Sequence, residues 1–82
     1  MTTWRKLIAE EMAYHGDTFV AWTLTDDEAD RQFYDGHGLA EGAPFTAWGE
    51  KRVYFPLVYD GAESVGSAPR DPCEEETEHL GG

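Results

Sequence analysis

The sequence predicts an α+β domain in which an N-terminal helix packs on an antiparallel sheet of 3-4 strands, in the order α-β-α-β-β-β. Three observations carry this expectation. Near the start, Trp4, Leu7, Ile8 and Met12 recur at helical spacing. From Phe45 onward the period of the pattern changes to two. Asp60-Gly61 is the strongest hairpin signal in the chain, because a type I′ turn needs positive φ at both central residues.

Each element follows from local chemistry. The first helix is expected over about 3 to 14, with Thr2 or Thr3 as N-cap and Gly16 as the stop after His15. Glu10 and Glu11 lie towards its C-terminal end, where the macrodipole disfavours negative charge, so helix stability does not account for them. Phe19 to Leu24 are β-branched and aromatic and read as a strand. Thr25 followed three positions later by Glu28 is a capping box, and Asp26 and Asp27 join Glu28 in a first turn that welcomes acids; a helix from about 26 to 33 follows, with Phe33 facing inward. Tyr34 to Pro44, with Gly36, Gly38 and Gly42 around His37, reads as a loop. Phe45 to Trp48 is a strand, Gly49 to Lys51 a turn, and Arg52 to Tyr59 a longer strand. That strand sets Val53, Phe55, Leu57 and Tyr59 on one face and Tyr54, Pro56 and Val58 on the other. Pro56 has no amide donor, so its strand is an edge, is bulged there, or turns that position outward. Ala62 to Ser67 is the return strand, and Pro69 and Pro72 end the sheet.

A chain of 82 residues holds one small domain, expected over residues 1–70, with 71–82 as an acidic, flexible tail. A hydrophobic fraction of 40% that includes 3 Trp, 4 Tyr and 4 Phe is too high for a disordered acidic segment. Trp22, Phe45, Trp48, Phe55 and Tyr59 are expected to share one hydrophobic layer, so that removing Trp48 or Phe55 costs about 3–5 kcal/mol. Tyr34 and Tyr54 are assigned to the surface, where tyrosines make good interface anchors. No apolar stretch is long enough to span a membrane and no apolar run follows Arg5-Lys6, which predicts a cytoplasmic protein. The single Cys73 has no internal partner, so the core carries the stability.

Signals for chemistry are weak. His15 ends a helix, where a histidine gains from the dipole alone, and His37 is a lone loop histidine. Cys73 and His79 lack metal-ligand spacing, and the glutamates behind Cys73 disfavour its thiolate. No glycine-rich phosphate loop follows a strand. The expectation is a protein that is not an enzyme, with no catalytic residue, no cofactor and no metal. The terminal Gly81-Gly82 resembles the end of ubiquitin-like sulfur carriers, but that family opens on a β-hairpin where this chain opens on a helix.

Charge is the strongest remaining signal. With 17 Asp and Glu against 6 Lys and Arg, the formal charge is −11. Such a surface repels nucleic acid phosphates and anionic lipid, so direct nucleic acid or membrane binding is not expected, and basic partners are favoured. Five of the acids fall in the tail, at 71, 74, 75, 76 and 78, which leaves −6 on the body. Asp26, Asp27, Asp30 and Asp35, with Glu10 and Glu11, are the candidate partner-binding carboxylates, and Tyr34 is the candidate aromatic anchor. Carboxylates a few ångströms apart on a rigid element approximate the spacing of phosphates along a nucleic acid strand, about 3.4 Å per step. Solubility is the competing account of the same acids, although the excess lies above the roughly 2–8 charges common for a small domain.

Gly42-Ala-Pro-Phe-Thr-Ala-Trp48, Val53-Tyr-Phe-Pro56, Tyr59-Asp-Gly61, Ser67-Ala-Pro-Arg70 and the closing His79-Leu-Gly-Gly82 together resemble short, largely uncharacterised acidic proteins encoded in bacteriophages and prophages. Some small phage proteins of this kind are anti-CRISPR inhibitors that mimic DNA in their surface charge. The resemblance implies a phage-type inhibitor, monomer or dimer, that binds a nucleic-acid-binding host protein such as a CRISPR effector. Two alternatives stay open: a phage structural or regulatory protein that binds through its aromatic surface, and a Gly-Gly-terminated carrier.

Overall fold

A computed structural model describes residues 1–34, 36 and 41–79. The elements run α1 (Trp4–Tyr14), β1 (Phe19–Trp22), α2 (Asp26–Asp30), β2 (Ala47–Gly49), β3 (Arg52–Tyr59) and β4 (Ala62–Pro69). The four strands form one sheet in the order β1-β2-β3-β4, each antiparallel to the next. This is the expected α+β architecture.

Local signals account for the helix ends. The Thr3 hydroxyl accepts from the Lys6 N–H at 3.1 Å, and Gly16 takes φ +61° just past the C-cap His15. The capping box at α2 is complete, with Glu28 N–H on the Thr25 hydroxyl at 3.1 Å and Thr25 N–H on the Glu28 carboxylate at 2.9 Å. This helix stops at Asp30, three residues short of the expected end. Phe33 exchanges both backbone hydrogen bonds with Thr2, at 3.0 and 2.9 Å, and the extended backbone of that bridge is incompatible with continuing the helix.

Both helices and the 41–46 segment lie on one side of the sheet. Trp4, Ile8 and Met12 from α1, Ala29 from α2, and Phe33 and Phe45 close over Ala47, Tyr54 and Val65 of the strands. Trp4 is the centre of this core, 1% exposed, with its ring 4.8 Å from that of Phe33 and 4.9 Å from that of Phe45. Its indole N–H donates to the Ala43 carbonyl at 2.9 Å, so the ring ties the loop before β2 to the helix.

Register decides which residues meet that core, and here one expectation is corrected. Ala47 pairs with Tyr54 and Tyr54 with Ser67, which puts the even-numbered residues of β3 on the helix side of the sheet, with Tyr54 in the core and Val58 at the far end 37% exposed. Trp22 and Phe45 join the helix side, whereas Trp48, Phe55 and Tyr59 alternate onto the opposite face and do not share the layer assigned to them. Tyr54, expected at the surface, is completely buried. Both faces of β3 are apolar, so alternation alone cannot tell inside from outside.

Two backbone details match their sequence signals. Asp60 and Gly61 have φ +50° and +83°, the signs of a type I′ turn, and the hairpin they close pairs every residue from Tyr59↔Ala62 to Arg52↔Pro69. Pro56 lies two residues past Tyr54, the last β3 residue paired with β2, so its missing donor falls where the strand has no neighbour on that side. Val20 is the extra residue of a bulge in β1 between Phe19 and Ala21, which returns Phe19 to the same face as Trp22.

Candidate partner-binding surface

Two carboxylates belong to the fold itself. Asp17, just after α1, accepts the Thr18 and Lys51 N–H groups on Oδ1 at 2.8 and 2.9 Å, and the Arg52 N–H and Tyr54 hydroxyl on Oδ2 at 3.1 and 2.8 Å. Burial pushes its pKa up, but the Tyr54 hydroxyl and the three N–H donors outweigh burial and hold it below the usual carboxylate range. Burial, then the hydrogen bond to this anion, raise the Tyr54 phenol well above its ordinary value. A Cβ on Gly49 would run into the Asp17 carboxylate, so a glycine is required where β2 turns beside it. Glu63, only 6% exposed, accepts the N–H groups of Glu41 and Gly42 at 2.8 and 3.0 Å and clamps the chain entering β2 onto the hairpin. Sequence reasoning missed both carboxylates. A signal existed for Glu63, an acid alternating with Val65 and Ser67 on the inward face of its strand.

The candidate acids do not form one surface. Asp26 and Asp30 converge on Arg5, whose guanidinium bonds Asp30 at 2.6 and 3.3 Å, approaches Asp26 at 3.6 Å, and lies 5.2 Å from the centre of the Trp22 ring. The hydrogen bond from Arg5 holds the Asp30 carboxyl below its ordinary range. Asp27 is exposed on the same turn, with no partner for its carboxylate among the described residues. Glu11 turns the other way, towards β4, with its carboxylate 3.3 Å from the His15 ring. Glu10 projects from the outer side of α1 and Tyr34 is 55% exposed. Asp35, His37, Gly81 and Gly82 lie outside the described residues.

A second group of acids gathers beside β4. Arg52 donates from Nε to the Ser67 hydroxyl at 2.9 Å and makes a paired contact to Glu75 with both bonds at 3.0 Å. That hydrogen bond raises the Arg52 pKa and lowers that of Glu75. Glu75 in the exposed acidic segment is thus held by a cation 23 residues earlier in the chain. Glu11, Glu76 and Glu78 line one hollow beside this contact, and Glu50 and Asp71 another.

His15 sits between Glu11 and Ser67, a combination that invites comparison with an acid–base–nucleophile triad. Both contacts, at 3.3 and 3.2 Å, are to the same ring nitrogen, Nε2. A triad needs the acid on one nitrogen and the hydroxyl on the other, so this arrangement does not activate Ser67 by that route.

Apolar surface remains in two places. A groove of about 370 Å³ between α1 and β1 is lined by Ile8, Ala9, Met12, Phe19 and Trp22, with Arg5 and Asp26 at its mouth. On the far side of the sheet, Trp48, Val53, Phe55 and Leu57 are half-buried and Tyr59 is 66% exposed, with no helix over them among the described residues. The molecule is thus a two-layer domain of one principal helix on a four-stranded meander, with an acidic rim. No family model, no curated protein and no solved structure matches this chain.

Proposed function

We propose that this chain is a non-enzymatic inhibitor of the phage type that occupies a basic, nucleic-acid-binding surface of a host protein, with a CRISPR effector as the partner class that its resemblance to phage-encoded proteins names. The observation that supports this reading is the fate of the charges. Arg5 and Arg52 are bound to carboxylates of the chain, and Arg31, Lys51 and Arg70 donate to its own carbonyls, so five of the six Lys and Arg are engaged internally while many of the acids point outward. The carboxylates of Glu10, Asp27, Glu50, Asp71, Glu74, Glu76 and Glu78 have no partner among the described residues. Several of them flank the anchored tail, where Arg52 and Glu75 limit the entropy lost on binding.

The test is capture of the partner from the native host, followed by competition with labelled DNA for that partner. Replacing Glu74, Glu76 and Glu78 with Gln together with Asp71→Asn is expected to weaken competition and leave the fold intact. Asp26, Asp27 and Asp30 replaced by Asn form the comparison set; the smaller effect is expected there, because Arg5 already engages two of the three. Competition is expected to fall steeply with salt. Salt-independent competition, or full competition by both sets of variants, refutes the reading. The groove between α1 and β1 favours a second reading, a phage regulatory or structural protein that binds through aromatic surface; binding of that kind is nearly independent of salt.

A further inference from the structure

We infer that the helix-free face of the sheet is the interface between two copies of this chain, a conclusion independent of the acidic surface and its partner. The first observation is the composition of β3. An antiparallel strand with one solvated face alternates apolar and polar residues, whereas Val53 to Tyr59 is apolar throughout, the pattern of a strand buried on both sides. On the helix side Tyr54 meets the core; on the other side Val53, Phe55, Leu57 and Tyr59 have no helix over them among the described residues. Phe55 lies directly opposite Gly66, which removes a side chain from the middle of the face and leaves it flat.

The second observation is charge. The paired positions on this face, from Ala21 and Trp48 through Val53, Phe55 and Leu57 to Ser64 and Ala68, carry no carboxylate and no Lys or Arg, in a chain of net charge −11. The tail carboxylates of Glu75, Glu76 and Glu78 border it beside Leu57, and its centre offers a basic partner no counter-charge. A second copy meets it without bringing carboxylates into contact, and the acids of both copies stay at the rims and on the helix sides. The same uncharged patch on both subunits is what a two-fold interface requires.

The third is size. A standard stable interface covers about 800 Å² on each partner, equivalent to a disc about 32 Å across. The principal extents of the molecule are 35 × 28 × 18 Å, so its broad side is of the size that such an interface needs. Two sheets stacked about 10 Å apart would form a sandwich with both α1 helices outside.

Sedimentation velocity and light scattering of the purified full chain, from low micromolar to submillimolar concentration, test this directly. The expected result is a species of twice the 9.2 kDa chain mass, strengthened as salt rises from about 0.05 to about 0.5 M because screening relieves repulsion between acidic copies. Phe55→Glu places a charge in the centre of the face and is expected to weaken the dimer about 100-fold or more. Near-ultraviolet circular dichroism reports whether that variant is folded. Tyr59→Glu, at a side chain already 66% exposed in one copy, gives the same readout without touching the core. A chain that stays monomeric at the highest concentration and salt, or a dimer that both variants leave unchanged, overturns the inference. The salt dependence is opposite in sign to that of the proposed partner binding, and no partner is present, so the two readings fail separately.

Discussion

Asp17→Asn is the most incisive perturbation of this fold, because one carboxylate satisfies donors from the end of α1, the β2–β3 turn and the buried side of β3. Whichever way the amide is turned, its NH₂ end faces a backbone N–H, and the charge that strengthens all four hydrogen bonds is lost. One orphaned, partly buried donor costs about 1–3 kcal/mol, and conversion of the remaining bonds from charged to neutral adds about 1 kcal/mol, for a total near 3 kcal/mol. A domain of this size is stable by about 4–12 kcal/mol, and each kcal/mol lowers its melting temperature by roughly 4–8 °C, so a fall of about 12–24 °C is expected. Because the carboxyl is held below its unfolded value, its contribution is complete above about pH 4 and is lost as pH falls through the lower native value. The gap between wild type and variant is therefore largest at neutral pH and narrows in acid. Urea unfolding followed by tryptophan fluorescence across that range measures both effects. A loss below about 1 kcal/mol at neutral pH, or a gap that does not narrow in acid, refutes the assignment of Asp17 as the organising acceptor.

Three further outcomes are expected. Tyr54→Phe removes the hydroxyl from Asp17 and costs about 1–2 kcal/mol; because the native phenol is raised above its unfolded value, wild-type stability is complete below about pH 10 and lost above it, and alkaline unfolding curves of the variant should lack that limb. Trp4→Ala should cost about 3–5 kcal/mol and leave little folded protein, whereas Trp48→Ala, at a half-buried position outside the core, should cost about 1–2 kcal/mol in the monomer; equal losses by calorimetry would contradict the assignment of faces. Glu75→Gln releases the anchor on Arg52 and should speed protease cleavage and amide exchange in residues 71–79 with little change in the melting of the domain; unchanged cleavage would show that the ion pair does not hold the tail.

The element order was legible because its signals are local. Thr3 reaches Lys6, Thr25 and Glu28 cap each other across three residues, and Asp60-Gly61 makes its turn from two dihedral angles, so chain chemistry alone determined α1, the start of α2 and the β3–β4 hairpin. The candidate acids were legible only as a list. That Arg5 bridges to Asp26 and Asp30 and that Arg52 anchors Glu75 are contacts across 21 to 25 positions, that Glu11 turns towards β4 depends on how α1 docks, and composition carries no such vector.

By itself, then, the sequence determined an α+β chain with these caps, this turn and an excess of negative charge. Only the tertiary structure decided which side of β3 is inside. Val53, Phe55, Leu57 and Tyr59 are as apolar as Tyr54, Pro56 and Val58, so periodicity is silent on the choice. It is made by α1 docking where Asp17 can receive the Tyr54 hydroxyl from 37 positions along the chain, since a buried phenol is tolerated only on the side that supplies its acceptor.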